Sequence, residues 1–324
     1  MTFFPSNVLV SAAPLPSPVE WEETPCLLCG GRNWSPLLEA QDLRVGGSGC
    51  WFRVVQCQDC GLCFTNPRPS PRSIGQFYPQ DYWTRPGWRA RGRRSRGWSS
   101  WRRGWPERTH LEVQGKGRLL DFGCGAGSFL ERMRRQGWQV TGIDVSPRAV
   151  ELVRRGLGLP AVIGSLPHPD FAPASFDVIT MWHSLEHVHQ PLAVLRAARQ
   201  LLAPGGRLLV AVPNIDSLPF RWFRAAWFGL DLPRHLIHFS PWTLQAMLEK
   251  GGFRPGPVRH VRQASWLRSS ARLACAMGHG PNWLRWLRRR PLAGVASWYS
   301  CYARQSDCLF VTAVADTTHA VAVG

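Results

Sequence analysis

The chain has 324 residues, of which 44% are hydrophobic and 19% are charged, and this composition excludes a fibrous, collagen-like or wholly disordered protein. Its 39 Lys and Arg residues against 21 Asp and Glu residues give a net charge of +18, which favours nucleic acid, anionic membranes or acidic small molecules as partners. Nearly all of the cations are Arg, so a compositional bias of the source genome explains the excess equally well.

Residues 1–24 are predicted to form a disordered N-terminal segment. The uncharged stretch 1–19 contains four prolines and cannot form a membrane-spanning helix. No Lys or Arg precedes its apolar part, as a secretory signal would require. We therefore expect a cytoplasmic protein, and peripheral contact with the inner face of the membrane stays open.

Residues 25–70 contain two Cys-x-x-Cys pairs, each followed by Gly and separated by 27 positions: Cys26 with Cys29, and Cys57 with Cys60. Four thiolates at such a spacing match a zinc ribbon, in which one Zn²⁺ is held tetrahedrally. A disulfide pair, a redox motif and unligated thiols are the alternatives, and a cytosolic setting disfavours disulfides. The sequence therefore predicts a structural Zn²⁺ at these four residues, with Cys50 or Cys63 as possible replacements.

A linker over residues 71–117 follows, with a short helix predicted near 74–82. Its run 85–108 is rich in Arg, Trp and Gly and shows no helical periodicity. One interpretation is a solvated linker. The other is an arm that stacks Trp on bases while Arg neutralises phosphates.

From Arg118 the pattern becomes strand, glycine-rich turn, helix and strand. Gly123, Gly125 and Gly127 follow the first strand, at the end of a parallel sheet where doubly wound folds bind cofactors. Asp144 lies 17 residues after Gly127 at the end of the next strand, where a carboxylate can accept both ribose hydroxyls. Nicotinamide cofactors favour G-x-G-x-x-G, and here the third glycine comes one residue early.

Three motifs in this order resemble the class I S-adenosylmethionine-dependent methyltransferases: Asp121–Gly127, Phe176–Val188 and Leu201–Val210. The resemblance covers residues 118–252 and returns at the last strand near 308–315. It implies an α/β fold over residues 118–318, with a Rossmann-like, doubly wound, mostly parallel seven-stranded sheet and helices on both faces. It also implies S-adenosyl-L-methionine as the cofactor and methyl transfer as the activity.

The resemblance further implies which residues surround the cofactor. The glycine turn passes under the methionine and ribose, Asp121 orders the ammonium end, and Asp144 holds the ribose. Residues near Ser165 flank adenine, although many relatives carry an acidic residue there. The full set is Asp121, Gly123, Cys124, Gly125, Gly127, Asp144, Val145, Ser165, Leu166, Trp182 and His183. For Trp182, plain core packing is the alternative.

The acceptor is harder to predict. No Asn-Pro-Pro-aromatic turn and no Pro-Cys pair follows the fourth strand, as base-modifying relatives would carry. The string Pro-Arg-His-x-x-His-Phe-Ser over 233–240 resembles methyltransferases acting on small molecules, glycans or lipid-linked acceptors. We predict the general base in the order His238, His235, His187, since a near-neutral His suits proton removal. The alternative is that these groups satisfy buried loop carbonyls or pair locally, as Glu186 and His187 could.

Two insertions are predicted, over 214–240 and 263–304. The second contains Trp, Leu and Arg in close alternation, which is typical of a helical lid or of a helix in a membrane interface. The function predicted is methyl transfer by in-line displacement to an oxygen of a small-molecule, sugar or lipid-linked acceptor, with a nitrogen or a carbon as the less favoured target. An RNA methyltransferase that grips phosphate with the cysteine module and the basic run is the less favoured alternative. A non-catalytic zinc adaptor is disfavoured by the intact glycines and Asp144.

Overall fold

The structure is a computed structural model and describes residues 17–42, 48–78, 113, 115–278 and 280–316. Most of the predicted linker, including the basic run 85–108, lies outside these residues. The two interpretations of that run, as a solvated linker or as an arm for nucleic acid, therefore stay predictions.

Short antiparallel strands build the N-terminal module. They are β1 (Trp21–Glu22), β2 (Trp34–Gln41), β3 (Trp51–Cys57), β4 (Cys63–Thr65) and β5 (Arg68–Pro69). β2, β3 and β4 form a meander, and β1 pairs with β5. Glu22 accepts a hydrogen bond of 2.7 Å from the buried Arg68. Residues 17–24 thus differ from the predicted disordered segment, because β-pairing and this ion pair hold them to the module.

The second sheet has the order β12-β14-β10-β9-β6-β7-β8, with β13 paired to β14. Its strands are β6 (Arg118–Phe122), β7 (Gln139–Asp144), β8 (Ala161–Ile163), β9 (Phe176–Trp182), β10 (Leu202–Pro213), β12 (Phe253–Pro255), β13 (Arg259–Val261) and β14 (Cys308–Ala315). The five strands from β6 to β10 are parallel, and the others pair antiparallel with β10 or β14. The predicted doubly wound, mostly parallel sheet is confirmed: seven strands form the continuous path, and β13 adds an eighth at one edge.

Helices cover both faces of this sheet, which explains why its central strands are mostly apolar. The helices are α1 (Ser128–Arg135), α2 (Pro147–Glu151), α3 (Pro191–Leu201), α4 (Leu218–Phe223), α5 (Pro241–Lys250), α6 (Ala264–Ala276) and α7 (Arg290–Tyr302). A π-helical turn, Leu152–Leu157, extends α2. Single 3₁₀ segments are Ile74–Phe77, Leu185–His187, Arg224–Ala226 and Asn282–Arg288. α5 begins with Ser240 as N-cap and Pro241 at its first position, where a missing backbone N–H costs no hydrogen bond.

The N-terminal module and the first insertion share one sheet. β11 (Ile237–His238), which lies in the insertion 214–240, pairs antiparallel with β4, so that Ile237 is opposite Phe64 and His238 is opposite Cys63. Leu62 and Phe64 of the module are fully buried in the same hydrophobic core as the methyltransferase-like sheet. The module is therefore packed against the larger domain through a strand that the larger domain supplies.

The second insertion, 263–304, forms α6, the 3₁₀ segment 282–288 and α7. Leu267, Leu284 and Leu287 bury their side chains in a separate core with Phe220 and Trp227 of the first insertion. This contact agrees with the interpretation of a helical lid. Across the described ranges, no helix is both long and apolar enough to cross a lipid bilayer.

Candidate active site

The glycine turn connects β6 to α1. Gly123, Gly125 and Gly127 have φ angles of 74°, 53° and 77°, a region that L side chains rarely adopt. A Cβ atom on Gly123 would lie 2.6 Å from Cβ of Ser184, and one on Gly127 would lie 2.8 Å from side-chain carbons of Val153 and Leu157. Larger residues are therefore excluded at these positions. The contact with Ser184 also sets the turn directly against the segment that follows β9.

Asp144 ends β7 and lies beneath the glycine turn. Its Oδ2 accepts a hydrogen bond of 2.9 Å from the backbone N of Gly125, and its Oδ1 accepts one of 2.9 Å from Ser146 N. Burial raises the pKa of this carboxyl, and the two amide donors oppose that effect. Each carboxylate oxygen has a second acceptor site. The arrangement therefore fits a pair of ribose hydroxyls as additional donors.

Asp121 lies on the adjacent strand and is 2% exposed. Its Oδ1 accepts a hydrogen bond of 2.7 Å from Thr180 Oγ1 on β9. Burial raises the pKa of Asp121 to about 7, although the Thr180 bond lowers it, and the charge of Asp144 adds to the rise. A buried carboxylate in this state gains from a cationic partner. Its chemistry therefore fits the ammonium group that the resemblance assigns to it.

Trp182 and His183 extend from the end of β9. Trp182 is half-buried, stacks on Phe310 with ring centroids 5.8 Å apart, and meets the Phe129 ring edge-on at 5.3 Å. His183 has a φ of 51°, and its Nδ1 lies 3.3 Å from Oε1 of Glu186. Burial alone lowers the pKa of His183, but the Cys308 sulfur and the Glu186 carboxylate outweigh it and raise the pKa to about 10. His183 is therefore protonated at neutral pH.

The other predicted cofactor residues differ in exposure. Val145 is exposed, Ser165 is half-buried, and Leu166 is buried in the main core. The Cys124 thiol is buried, and its pKa lies well above the usual value, chiefly because of burial. The thiol is therefore neutral at physiological pH.

A second cluster joins the 3₁₀ segment Leu185–His187 to the first insertion. Its ligand-type atoms, from Glu186, His187 and His235, all lie within 4.8 Å of one another. Nδ1 of His187 lies 2.8 Å from the carbonyl oxygen of Arg234, and Nδ1 of His235 lies 2.8 Å from that of Gly229. A carbonyl can only accept, so each Nδ1 carries the proton and each Nε2 carries the lone pair. This set could bind a divalent cation or a proton.

The loop that carries His235 in the second cluster is held by a buried Arg, Arg234. Nη2 of Arg234 lies 2.7 Å from Asp42 Oδ1, and its Nε lies 2.9 Å from Asp231 Oδ1. Its Nη1 donates a 2.6 Å hydrogen bond to the carbonyl of Phe77. Burial lowers the pKa of the guanidinium, but the two carboxylates outweigh it and raise the pKa. Arg234 thus ties the N-terminal module to the loop that carries His235.

The hydrogen bond of His238 is to Thr65 of the N-terminal module and not to the cluster of Glu186, His187 and His235. Thr65 Oγ1 donates its one proton to the carbonyl of His235 at 2.9 Å, so it accepts from His238 Nε2 at 3.3 Å. Burial lowers the pKa of His238 to about 3. The ring is therefore neutral and holds β11 to β4, which does not support its first rank among the base candidates.

Three residues of the second cluster were missed in the sequence. Tyr78 places its hydroxyl 3.1 Å from His187 Nδ1, and Asp42 and Asp231 pair with Arg234. Asp231 could have been found, since it precedes Arg234 by three residues. Asp42 and Tyr78 carry no such local signal, because both are distant from the cluster in sequence.

The four predicted zinc ligands come together. The Sγ atoms of Cys26, Cys29, Cys57 and Cys60 all lie within 4.8 Å of one another, and those of Cys26 and Cys60 are 3.4 Å apart. Zn–S bonds of about 2.3 Å in a tetrahedron require sulfur atoms about 3.8 Å apart, so the cluster is compact enough for the ion. Among the described residues, Cys50 and Cys63 do not join this group.

Comparison with known proteins identifies relatives of this chain. A family model described as a methyltransferase domain matches residues 96–255. The ubiquinone biosynthesis O-methyltransferase of Xanthomonas euvesicatoria pv. vesicatoria (strain 85-10) is 35% identical over 180 residues, in an alignment that covers 51% of this chain and 74% of that protein. The enzyme of the same name from Xanthomonas axonopodis pv. citri (strain 306) is 34% identical over 169 residues, covering 48% and 70%.

Solved structures are similar to this chain at lower sequence identity. An S-adenosylmethionine-dependent methyltransferase from Mesorhizobium loti is 20% identical, with a TM-score of 0.46 over 67% of this chain and 98% of that one. The sheet order, and the glycine turn that is bonded to the Asp144 carboxylate, are typical of α/β enzymes that bind a nucleoside cofactor. With the relatives above, the chain belongs to the class I S-adenosylmethionine-dependent methyltransferases.

Proposed function

We propose that this chain methylates an oxygen atom of a small-molecule acceptor, a class that includes sugars and lipid-linked compounds, with His187 as the general base. The relatives named as O-methyltransferases support oxygen as the atom that receives the methyl group. The observation that carries the base assignment is the 2.8 Å hydrogen bond from His187 Nδ1 to the Arg234 carbonyl, which leaves the lone pair on Nε2.

The cofactor residues are proposed as the resemblance assigns them. Asp144 would hold the ribose, and Asp121 would hold the ammonium group. The glycine turn would pass under the methionine and ribose portions of the cofactor, and Trp182 would line its methyl-donating end. When bound, S-adenosylmethionine supplies an electrophilic methyl group on a cationic sulfur. The residues of the chain must then orient the acceptor hydroxyl and remove its proton.

The three histidines His183, His187 and His235 are not equivalent as bases. His183, with its pKa of about 10, already carries a proton at neutral pH. His235 is almost fully buried, and burial holds its pKa well below the usual value. His187 is half-buried, and it lies three residues after Ser184, which contacts the glycine turn. His187 is therefore less buried than His235, and its Nδ1 hydrogen bond places the basic lone pair on Nε2.

Proton removal at His187 is stabilised by its neighbours. As Nε2 takes the hydroxyl proton, the ring becomes an imidazolium whose Nδ1–H already donates to the Arg234 carbonyl. Glu186 is fully buried, and its Oε2 has no hydrogen-bond partner within the described part of the chain. A buried carboxylate of this kind favours a positive charge close by. His235 acts as a positioning residue, with its ring centroid 4.6 Å from that of His187.

The base assignment is tested by His187→Gln, with His260→Gln on β13 as the matched control. Turnover is measured with S-adenosylmethionine and a panel of phenols, sugars and long-chain alcohols. We expect His187→Gln to lower kcat by about 10²–10⁴-fold with little change in cofactor affinity, and His260→Gln to behave as the wild type. Full activity of His187→Gln would refute the assignment. Strict dependence on added Mg²⁺ or Mn²⁺ would instead make His187 a metal ligand.

We also infer that the four-cysteine cluster binds a structural Zn²⁺. The positive-φ glycines Gly30 and Gly61 form the tight turns behind both cysteine pairs, and the thiols converge as described above. Metal analysis of the purified chain should give about one Zn per molecule. Cys60→Ser should lose the metal and unfold the module, whereas Cys50→Ser should keep it. A metal-free chain with an intact module would contradict the inference.

A further inference from the structure

The second insertion has an extreme charge composition. Residues 263–304 contain seven Arg residues and neither Asp nor Glu. Four of these Arg residues lie within one short stretch: Arg285, Arg288, Arg289 and Arg290. Since the segment contains no carboxylate, it carries a net positive charge that attracts anionic partners.

Helix α7 turns its large apolar side chains toward solvent. Its buried face consists of the small residues Ala293, Ser297 and Ser300. Its exposed residues include Leu292, Val295, Tyr299 and Tyr302, which recur at intervals of three or four positions and so share one helical face. Trp298 is 56% exposed. This distribution is the reverse of that expected for a surface helix whose function is only to cover the core.

The aromatic surface continues onto the 3₁₀ segment Asn282–Arg288. Leu284 and Leu287 are buried, whereas Trp283 and Trp286 are exposed. The Arg289 guanidinium lies 4.5 Å from the ring centroid of Trp286. Trp, Tyr and Arg side by side are typical of proteins that lie in the headgroup region of a bilayer, where rings enter the apolar boundary and guanidinium groups meet phosphates.

We propose that this face, formed by α7 and the segment 282–288, docks on an anionic lipid bilayer. The net positive charge of residues 263–304 complements acidic headgroups, and the guanidinium fork matches phosphate oxygens. α7 spans residues 290–302, which is too short to cross a membrane, so the helix lies in the interface. The proposal stands independently of the acceptor and of the base, because it uses residues outside the candidate active site.

The test is flotation of the full chain with vesicles. One vesicle contains phosphatidylcholine alone, and the other contains phosphatidylcholine with about one third phosphatidylglycerol. We expect binding to the anionic vesicle, a decrease of roughly fivefold for each Arg replaced at positions 288 and 289, and at least a tenfold decrease for the pair Trp298→Ala and Tyr302→Ala. The matched control is Trp242→Ala, which removes an exposed Trp on α5 and should bind as the wild type.

Several outcomes would overturn the proposal. Equal binding of the Trp298→Ala, Tyr302→Ala double variant and the wild type would exclude this face as the docking surface. Equal binding to both vesicles would exclude charge as its basis. Absence of vesicle binding together with a dimer that the same double variant abolishes, measured by ultracentrifugation, would show that the face pairs two copies of the chain. Circular dichroism and cofactor affinity, which should not change in these surface variants, separate all of these results from misfolding.

Discussion

The two halves of the candidate active site are assembled in different ways. The central part of the proposed cofactor half comes from one continuous stretch, residues 121–144, in which two strands and a turn bring Asp121, Asp144 and the glycines together. The acceptor half draws on Asp42, Tyr78, residues 186–187 and residues 231–235. The first half depends mainly on local backbone geometry. The second exists only when the N-terminal module, the β9 turn and the first insertion are packed together.

The largest expected effect tests whether Arg234 holds the acceptor half in place. Arg234→Ala removes the partner of two buried carboxylates, Asp42 and Asp231, and should cost about 3–5 kcal/mol in the free energy of unfolding. The matched control is Arg53→Ala, which breaks an exposed ion pair with Glu39 and should cost at most about 1 kcal/mol. Urea denaturation of both variants provides the comparison.

If the two halves are independent, folded Arg234→Ala should keep its cofactor affinity while losing turnover. Adding Asp42→Asn to Arg234→Ala should recover part of the stability, since one buried charge is removed. Equal costs for Arg234→Ala and Arg53→Ala would contradict the role assigned to this ion-pair network.

The next effect concerns the cofactor half alone. Asp144→Ala removes the proposed acceptor of the ribose hydroxyls and the 2.9 Å bond that holds Gly125 N. Hydrogen bonds to a charged group contribute about 1.5–3 kcal/mol each, so cofactor affinity should fall about a hundredfold or more in a calorimetric titration. Asp177→Ala is the control, because this exposed carboxylate pairs with Arg118 at the start of β6 and should leave affinity unchanged. Undiminished affinity of Asp144→Ala would refute the cofactor placement.

The same contrast explains what the sequence could predict. The glycine turn follows from an apolar strand, closely spaced glycines and a carboxylate at a fixed spacing, all of which are local signals. The doubly wound sheet follows from the family resemblance that these motifs carry. β11 has two residues and no periodicity, so its pairing with β4 could not be predicted. That pairing explains why His238 is not supported as the general base, because it turns the ring toward Thr65. A histidine motif identifies candidates, but tertiary contacts decide which nitrogen keeps a lone pair.

In the cysteine module, the metal site could be predicted from the sequence but its packing against the larger domain could not. The four thiols were predicted from spacing, because the tight turns around Gly30 and Gly61 need only neighbouring residues. Which larger element covers the module could not be predicted. The burial of Leu62 and Phe64 against the large domain depends on a strand more than 170 positions further along the chain.

The smallest effect is a pH dependence that sharpens the role of Asp121. Its pKa of about 7 lies above the usual value because the carboxyl is buried. Since the folded-state pKa is raised, the protonated form contributes stability at low pH, and this contribution is lost as the pH rises through about 7. A cationic ammonium group prefers the ionised carboxylate. Cofactor affinity should therefore increase as the pH rises toward 7, by up to about tenfold per pH unit below it.

Titration calorimetry with the product nucleoside between pH 5.5 and 8.5 measures this slope, and Asp121→Asn should flatten it while weakening binding at high pH. Thr180→Val provides a graded control. It removes the 2.7 Å hydrogen bond that lowers the pKa of Asp121, so the midpoint of the affinity curve should move to higher pH without loss of the slope. A midpoint that stays fixed in Thr180→Val would assign the titration to another group. Such a result would mean that the ammonium end of the cofactor is held by residues outside the local turn, which would remove the contrast between the two halves.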